Sequence, residues 1–136
     1  MMTVDELTEF MHRDFAEAFD NGGFTISNVA PGEARLSQRF HPKMLRPGGT
    51  VSGPTLMALA DVALYVAVLS AIGPVGLAVT TQLTVNFLRK APAGSDIYAD
   101  AKLLKCGKRL ATGEVGLYSA ASPDMVAHVT GTYSIP

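Results

Sequence analysis

The sequence predicts an α+β domain in which one antiparallel sheet curls around a single buried helix, with a shorter helix at the N-terminus. Three observations lead there. Pro54 to Ala71 is one long apolar run that contains a single carboxylate, Asp61. The four segments after it alternate apolar and polar residues between short turn signals, as half-buried neighbouring strands do. Before it, "FTISNV" and "EARLSQRF" flank Ala30-Pro31-Gly32, a hairpin pattern.

The first helix is expected over Val4 to Asp20. Thr3 and Glu6 have capping-box spacing, and Val4, Leu7, Met11, Phe15, Ala18 and Phe19 share one face. Asn21-Gly22-Gly23 tolerates the positive φ that ends a helix. The long helix begins with Ser52 or Gly53 as cap and Pro54 in the first turn, where a missing N–H is harmless. Gly73-Pro74 stops it. Strands are expected over Leu77 to Leu88, Ser95 to Lys105, Lys108 to Ser119 and Met125 to Ile135. In the second, Ile97, Ala99, Ala101 and Leu103 oppose Asp96, Tyr98, Asp100 and Lys102. In the last, Met125, Ala127, Val129 and Tyr133 oppose His128, Thr130, Thr132 and Ser134. Ala91-Pro92-Ala93-Gly94, Gly107 and Ser122-Pro123-Asp124 supply the turns.

A chain of 136 residues without repeats or low-complexity tracts reads as one domain over residues 1–136. Eleven basic residues against twelve acidic ones give no basic surplus for nucleic acid. Cys106 is the only cysteine, which excludes an intramolecular disulfide and fits a reducing cytoplasm. The opening "MMTVDELTEF" carries acidic residues where a secretory signal has basic ones. The apolar run has the length of a membrane span, but a mid-helix aspartate costs about 2.5–3.5 kcal/mol on insertion scales. A helix apolar on all sides is instead expected at the centre of a soluble fold. His41 and His128 lack metal-ligand spacing, and no metal or redox cofactor is implied.

Asp61 is the unusual residue. Between Arg46 and Arg89 no other side chain carries a full charge at neutral pH. Removing a lone carboxylate from water costs several kcal/mol unless it is paired or hydrogen-bonded. Such a group is commonly functional or paired.

The order of elements resembles the hotdog fold. The stretch from Arg46 to Asp61, together with "AVTTQLTVNFLRKAPAG", is similar to the phenylacetate-degradation type of acyl-CoA thioesterase. Members of that type commonly show Asn-x-x-Gly-x-x-His-Gly-Gly, four residues, then Leu-Ala-Asp. This chain has Arg46, Gly49, Ser52, Gly53 and Pro54 at those positions, then Leu59-Ala60-Asp61. Arg46 therefore stands for asparagine, Ser52 for histidine and Pro54 for the second glycine, while the helix-start glycine and the acid are kept. The resemblance implies thioester hydrolysis, a homodimer or dimer of dimers with sites shared between subunits, and coenzyme A as part of the substrate.

The residues allow that chemistry. Hydrolysis needs an activated water or a nucleophile, plus donors for the developing oxyanion. Gly53 N–H, at a helix start without an intrahelical partner, is the donor candidate. Asp61 is the candidate base or nucleophile. Eight residues separate the two, about 12 Å along one helix, too far for one carbonyl carbon. An enzymatic Asp61 thus calls for a twofold dimer that brings Asp61 of one chain to Gly53 of the other.

Thr80 lies where related thioesterases place a hydroxyl that bonds the acid or its water. By strand alternation Gln82 shares its face. Arg46 is a candidate either to donate to the thioester oxygen or to pair with Asp61, and Ser52 occupies the histidine position. Leu56, Met57, Leu64, Tyr65 and Phe87 are candidates for the acyl pocket. Arg89-Lys90 and Lys108-Arg109 are candidates for the phosphates of coenzyme A. Each has a plainer role available: Asp61 as a structural acid, Gly53 as a cap, Thr80 as a strand threonine, Lys108-Arg109 as a solvated turn. At the level of the whole protein, the alternative is a non-catalytic acyl-CoA-binding protein of the same fold. A hydratase would need a catalytic histidine–acid pair that does not appear.

Overall fold

The computed structural model describes residues 2–16, 19 and 22–136. Helix α1 (Val4–Asp14) opens on the expected capping box: the Glu6 N–H donates to Thr3 Oγ1 (3.2 Å), and the Thr3 N–H donates to Glu6 Oε1 (3.0 Å). Its helical run is interrupted at Phe15 and resumes: Ala16 and Phe19 are helical, and the Phe19 N–H donates to the Phe15 carbonyl (2.9 Å). Phe15 leaves the helical region (φ −134°, ψ 30°), and its ring lies 5.6 Å from that of Tyr65. Leu7, Phe10 and Met11 are the buried residues of α1, and Phe19 is buried beyond it. Ala18, Asp20 and Asn21, which the expected helix and its stop include, lie outside the described residues.

Strands β1 (Phe24–Ala30) and β2 (Glu33–Gln38) form the predicted antiparallel hairpin. A 3-10 turn over Pro42–Met44 and a small hairpin, β3 (Leu45–Arg46) with β4 (Thr50–Val51), follow. No element was expected over this stretch. Gly48 and Gly49, both with positive φ, turn the hairpin tip. Helix α2 (Gly53–Ile72) then runs through the domain to Gly73.

Strands β5 (Val79–Phe87), β6 (Ile97–Cys106), β7 (Leu110–Ser119) and β8 (Met125–Ser134) start and stop within two residues of expectation. The sheet order is β1-β2-β6-β7-β8-β5, antiparallel throughout. The last four strands are therefore not a simple meander. Residues 88–96 carry the chain across three strand spacings, about 14 Å, so that β5 pairs with β8 at the sheet edge. Among the described residues β5 has no partner strand on its outer side, and Val79 and Phe87 are 57% and 53% exposed. Met125, expected inward, is half-buried beside Tyr118 on the outer face, because the β7–β8 register shifts between Leu117 and Tyr118.

The sheet wraps α2, which is the hotdog arrangement. By length and composition α2 would cross a membrane, yet more than half of it is buried inside the domain, as a core helix is. Leu59, Ala60, Ala63 and Leu64 have no exposed surface. Gly113 and Gly131 sit side by side in register and make room for Leu64. A Cβ at Gly131 would lie 2.8 Å from Leu64 Cδ2 and 2.7 Å from Leu83 Cδ2. Gly131→Ala should therefore overpack the core and destabilise by about 1–3 kcal/mol, read as a lower melting temperature. Ser70, buried in α2, accepts the Gly32 N–H (3.1 Å) and ties the β1–β2 turn to the helix.

Candidate active site

Asp61 lies midway along α2, partly buried, where β5 and β8 pass the helix. Its Oδ1 accepts two short hydrogen bonds, from Thr80 Oγ1 (2.7 Å) and from Tyr133 Oη (2.6 Å). The one phenol proton is shared with the Asp61 carbonyl (2.9 Å) as a three-centre bond. Thr80 and Tyr133 are directly paired across β5 and β8, so a single strand pairing delivers both hydroxyls. Burial, and then the bond to Asp61, push the Tyr133 phenol above the ordinary tyrosine range. It therefore stays protonated and donates.

A cavity of about 360 Å³ opens on Asp61. Its walls are largely apolar or aromatic: Met11, Phe15, Val62, Tyr65, Ala78 and Tyr133 among them. Tyr65 stacks on Tyr133 with ring centroids 5.8 Å apart and donates to the Gly76 carbonyl (3.2 Å). Among the described residues no Lys, Arg or His lines this cavity, and the donors to the Asp61 carboxylate are hydroxyls.

The start of α2 faces a different space. Ser52 is the N-cap and accepts the Thr55 N–H (3.3 Å). Pro54 has no N–H, and the Leu56 N–H donates to the Ser52 carbonyl (3.2 Å). That leaves the Gly53 N–H as the donor of the first turn with no partner among the described residues. It borders a cavity of about 490 Å³ lined also by Arg46, Leu56, Phe87, Arg89 and Lys90. Among the described residues the Gly53 and Asp61 cavities share no lining residue.

Residues 48–124 match the family described as the thioesterase superfamily. The chain belongs to the thioesterase superfamily. It is 32% identical over 123 residues to a Halobacterium salinarum protein provisionally named an esterase, covering 83% of this chain and 80% of that one. Among solved structures it is similar to a Silicibacter sp. protein provisionally described as a thioesterase, with 41% identity, a TM-score of 0.90, and coverage of 100% and 93%. It is also similar to a variant of the phenylacetic acid degradation protein PaaI from Thermus thermophilus: 29% identity, a TM-score of 0.79, and coverage of 88% and 99%.

Within this superfamily member the sequence-derived site residues divide into two groups and a remainder. Asp61, Thr80 and Tyr65 meet at one cavity, while Gly53, Arg46, Arg89 and Lys90 meet at the other, with Ser52 capping beside them. Arg46 is exposed and forms no ion pair with Asp61, so of its two expected roles the pairing is not made within the chain. Gln82 does not share a face with Thr80. The β5–β8 register shifts between them, and the bulge at Thr81 turns Gln82 outward to donate to Thr84 Oγ1. Leu64 belongs to the core and not to an acyl pocket, whereas Leu56 and Phe87 line the Gly53 cavity and Met57 is exposed on α2. Lys108 and Arg109 are exposed in the β6–β7 turn and line neither cavity. They lie at the end of the sheet opposite Arg89, whose guanidinium donates to the Met125 carbonyl (2.8 Å).

Tyr133 was not among the expected site residues. Its signal was the inward-facing tyrosine on the last strand, since a buried phenol needs a hydrogen-bond partner. Identifying Asp61 as that partner required the β5–β8 pairing. Among the described residues no group of three or more His, Cys, Asp or Glu side chains is placed to hold a metal.

Proposed function

We propose that this protein hydrolyses acyl-CoA thioesters at sites built from two copies of the chain. The observation that carries the reading is the division of labour between the two cavities. The hydroxyl-braced acid opens into an apolar space, and the unpartnered helix-start N–H, with the cations Arg46, Arg89 and Lys90, opens into another.

A twofold pairing of the exposed β5 edges joins them. Antiparallel pairing sets the Thr80 end of one β5 against the Phe87 end of its partner. Asp61 of one protomer then faces Gly53 of the other. The acyl chain enters the apolar cavity, and the thioester oxygen takes the Gly53 N–H. Arg89 and Lys90 of that protomer stand toward the coenzyme A phosphates. Asp61 Oδ2 takes a proton from the attacking water, or attacks the carbonyl itself to give an anhydride that water then opens. The coenzyme A thiolate leaves in either route. If water opens the anhydride at the Asp61 carbonyl, a single turnover in ¹⁸O-labelled water leaves label in Asp61, which the water route cannot do. Label found only in the released acid fits water attack on the acyl carbonyl in either route.

The non-catalytic alternative draws support from the replaced motif residues, and its distinguishing feature, an Arg46–Asp61 pair filling the pocket, is not formed within one chain. The direct test is thiol release from a panel of aryl and aliphatic acyl-CoA esters, run beside sedimentation. Turnover by a dimer supports the reading, and a stable active monomer overturns the shared site. The setting proposed is the cytoplasm, where the lone exposed Cys106 stays reduced.

Acyl length should be read by Phe15, which closes one wall of the cavity while itself 41% exposed. Phe15→Ala is expected to favour longer acyl chains by about tenfold in kcat/KM over short ones, the scale of one or two methylenes in an apolar pocket. An unchanged chain-length profile would remove Phe15 from specificity.

A further inference from the structure

Asp61 has two carboxylate oxygens and the structure treats them differently. Oδ1 takes both protein hydroxyls, while Oδ2 receives no hydrogen bond from the described residues. The Tyr133 phenol does more than donate to Oδ1. It also bonds the Asp61 main-chain carbonyl, and so fixes the side chain relative to its own helix. Tyr133 is itself held: it is 3% exposed, its ring stacks on Tyr65, and Tyr65 is tied to the Gly76 carbonyl.

We infer that Tyr133 is a positioning residue of this site, holding Asp61 Oδ1 together with Thr80 so that Oδ2 is the oxygen presented to the thioester or its water. The inference rests on the thioesterase reading above, in which Asp61 meets the reacting atoms. Rotating a carboxylate whose one oxygen is bonded from two strands would break both bonds, so the bracing selects a single reactive oxygen. A carboxylate free to turn would hold an oxygen in the reactive orientation only part of the time, and misplacement by about 1 Å can cost on the order of 100-fold.

The test is Tyr133→Phe, which removes the hydroxyl and keeps the ring stacked on Tyr65. The expected result is a fall in kcat of about tenfold or more, with KM for the same acyl-CoA within about threefold. A residue that served only the core would instead lower the melting temperature and leave kcat per folded molecule unchanged. Thr80→Val should lower kcat in the same manner, and the double variant should lose more than either. Should Tyr133→Phe fail to fold, 3-fluorotyrosine at position 133 keeps the shape and strengthens the donor, and kcat should change without a change in melting temperature. Wild-type kcat in folded Tyr133→Phe, or in the fluorinated protein where the phenylalanine variant does not fold, overturns the inference. Asp61→Asn is measured alongside. If it is inactive while Tyr133→Phe is fully active, the positioning role alone falls. If Asp61→Asn is fully active, the thioesterase reading falls with it.

Discussion

Asp61→Asn is expected to lower kcat by at least ~100-fold, the smaller end of what a general base or attacking group supplies, while the protein still folds and still binds acyl-CoA. The amide keeps the shape of the carboxylate. Its oxygen can accept the same two hydroxyls, from Thr80 and Tyr133, that Asp61 Oδ1 accepts. Among the described residues of its own chain no cation lines the Asp61 cavity, so the change strands none there. The large cost of breaking a buried ion pair, about 3–5 kcal/mol, therefore does not arise, and the melting temperature should move by only a few degrees. What is lost is the charge and basicity at the position of Oδ2. Measured kcat, acyl-CoA affinity and melting temperature on this one variant separate chemistry from structure. Full activity in a stable variant would end the proposed mechanism. A large drop in melting temperature with turnover per folded molecule intact would make Asp61 a structural acid.

The long helix was legible because its signals are local: an apolar run, Ser52 and Pro54 at its start, and Gly73 at its end. Strand limits were legible for the same reason. What the sequence could not reveal depends on residues far apart in the chain. The period of α1 continues through Phe15, but that residue's backbone leaves the helical region and interrupts the helix there. Strict alternation put Thr80 and Gln82 on one face until a bulge, visible only as a register shift against β8, separated them. Arg46 could be aligned with a family motif, yet its distance from Asp61 depends on the β3–β4 hairpin. The Tyr133 role needed β5 at the sheet edge beside β8, a pairing that no local pattern encodes. Asp61, Gly53 and Thr80 could be singled out from residue type and resemblance, whereas the group that braces Asp61 from the far end of the chain could not.

Gly53→Val should abolish turnover on its own and recover it in the presence of Asp61→Asn chains. Gly53 has no positive φ to demand glycine, so the substitution is tolerated by the backbone. A Cβ there would lie 3.1 Å from Phe87 Cζ, the tip of a half-exposed ring that can move aside. The added bulk instead occupies the space in front of the Gly53 N–H, and losing one oxyanion donor costs about 10²–10³ in kcat. If each site takes Asp61 from one protomer and Gly53 from the other, a mixed dimer has one site with both residues altered and one with both intact. Random mixing of equal amounts makes half of the dimers mixed, each with one working site of two, so activity should return to roughly a quarter of wild type per chain. Each variant alone stays near background. If a single protomer supplied both groups, every site in the mixture would carry one defect and no activity would return. The mixing experiment therefore tests the shared site directly: recovery after unfolding and refolding the two variants together, with none when they are refolded apart, requires Gly53 and Asp61 to meet across two chains.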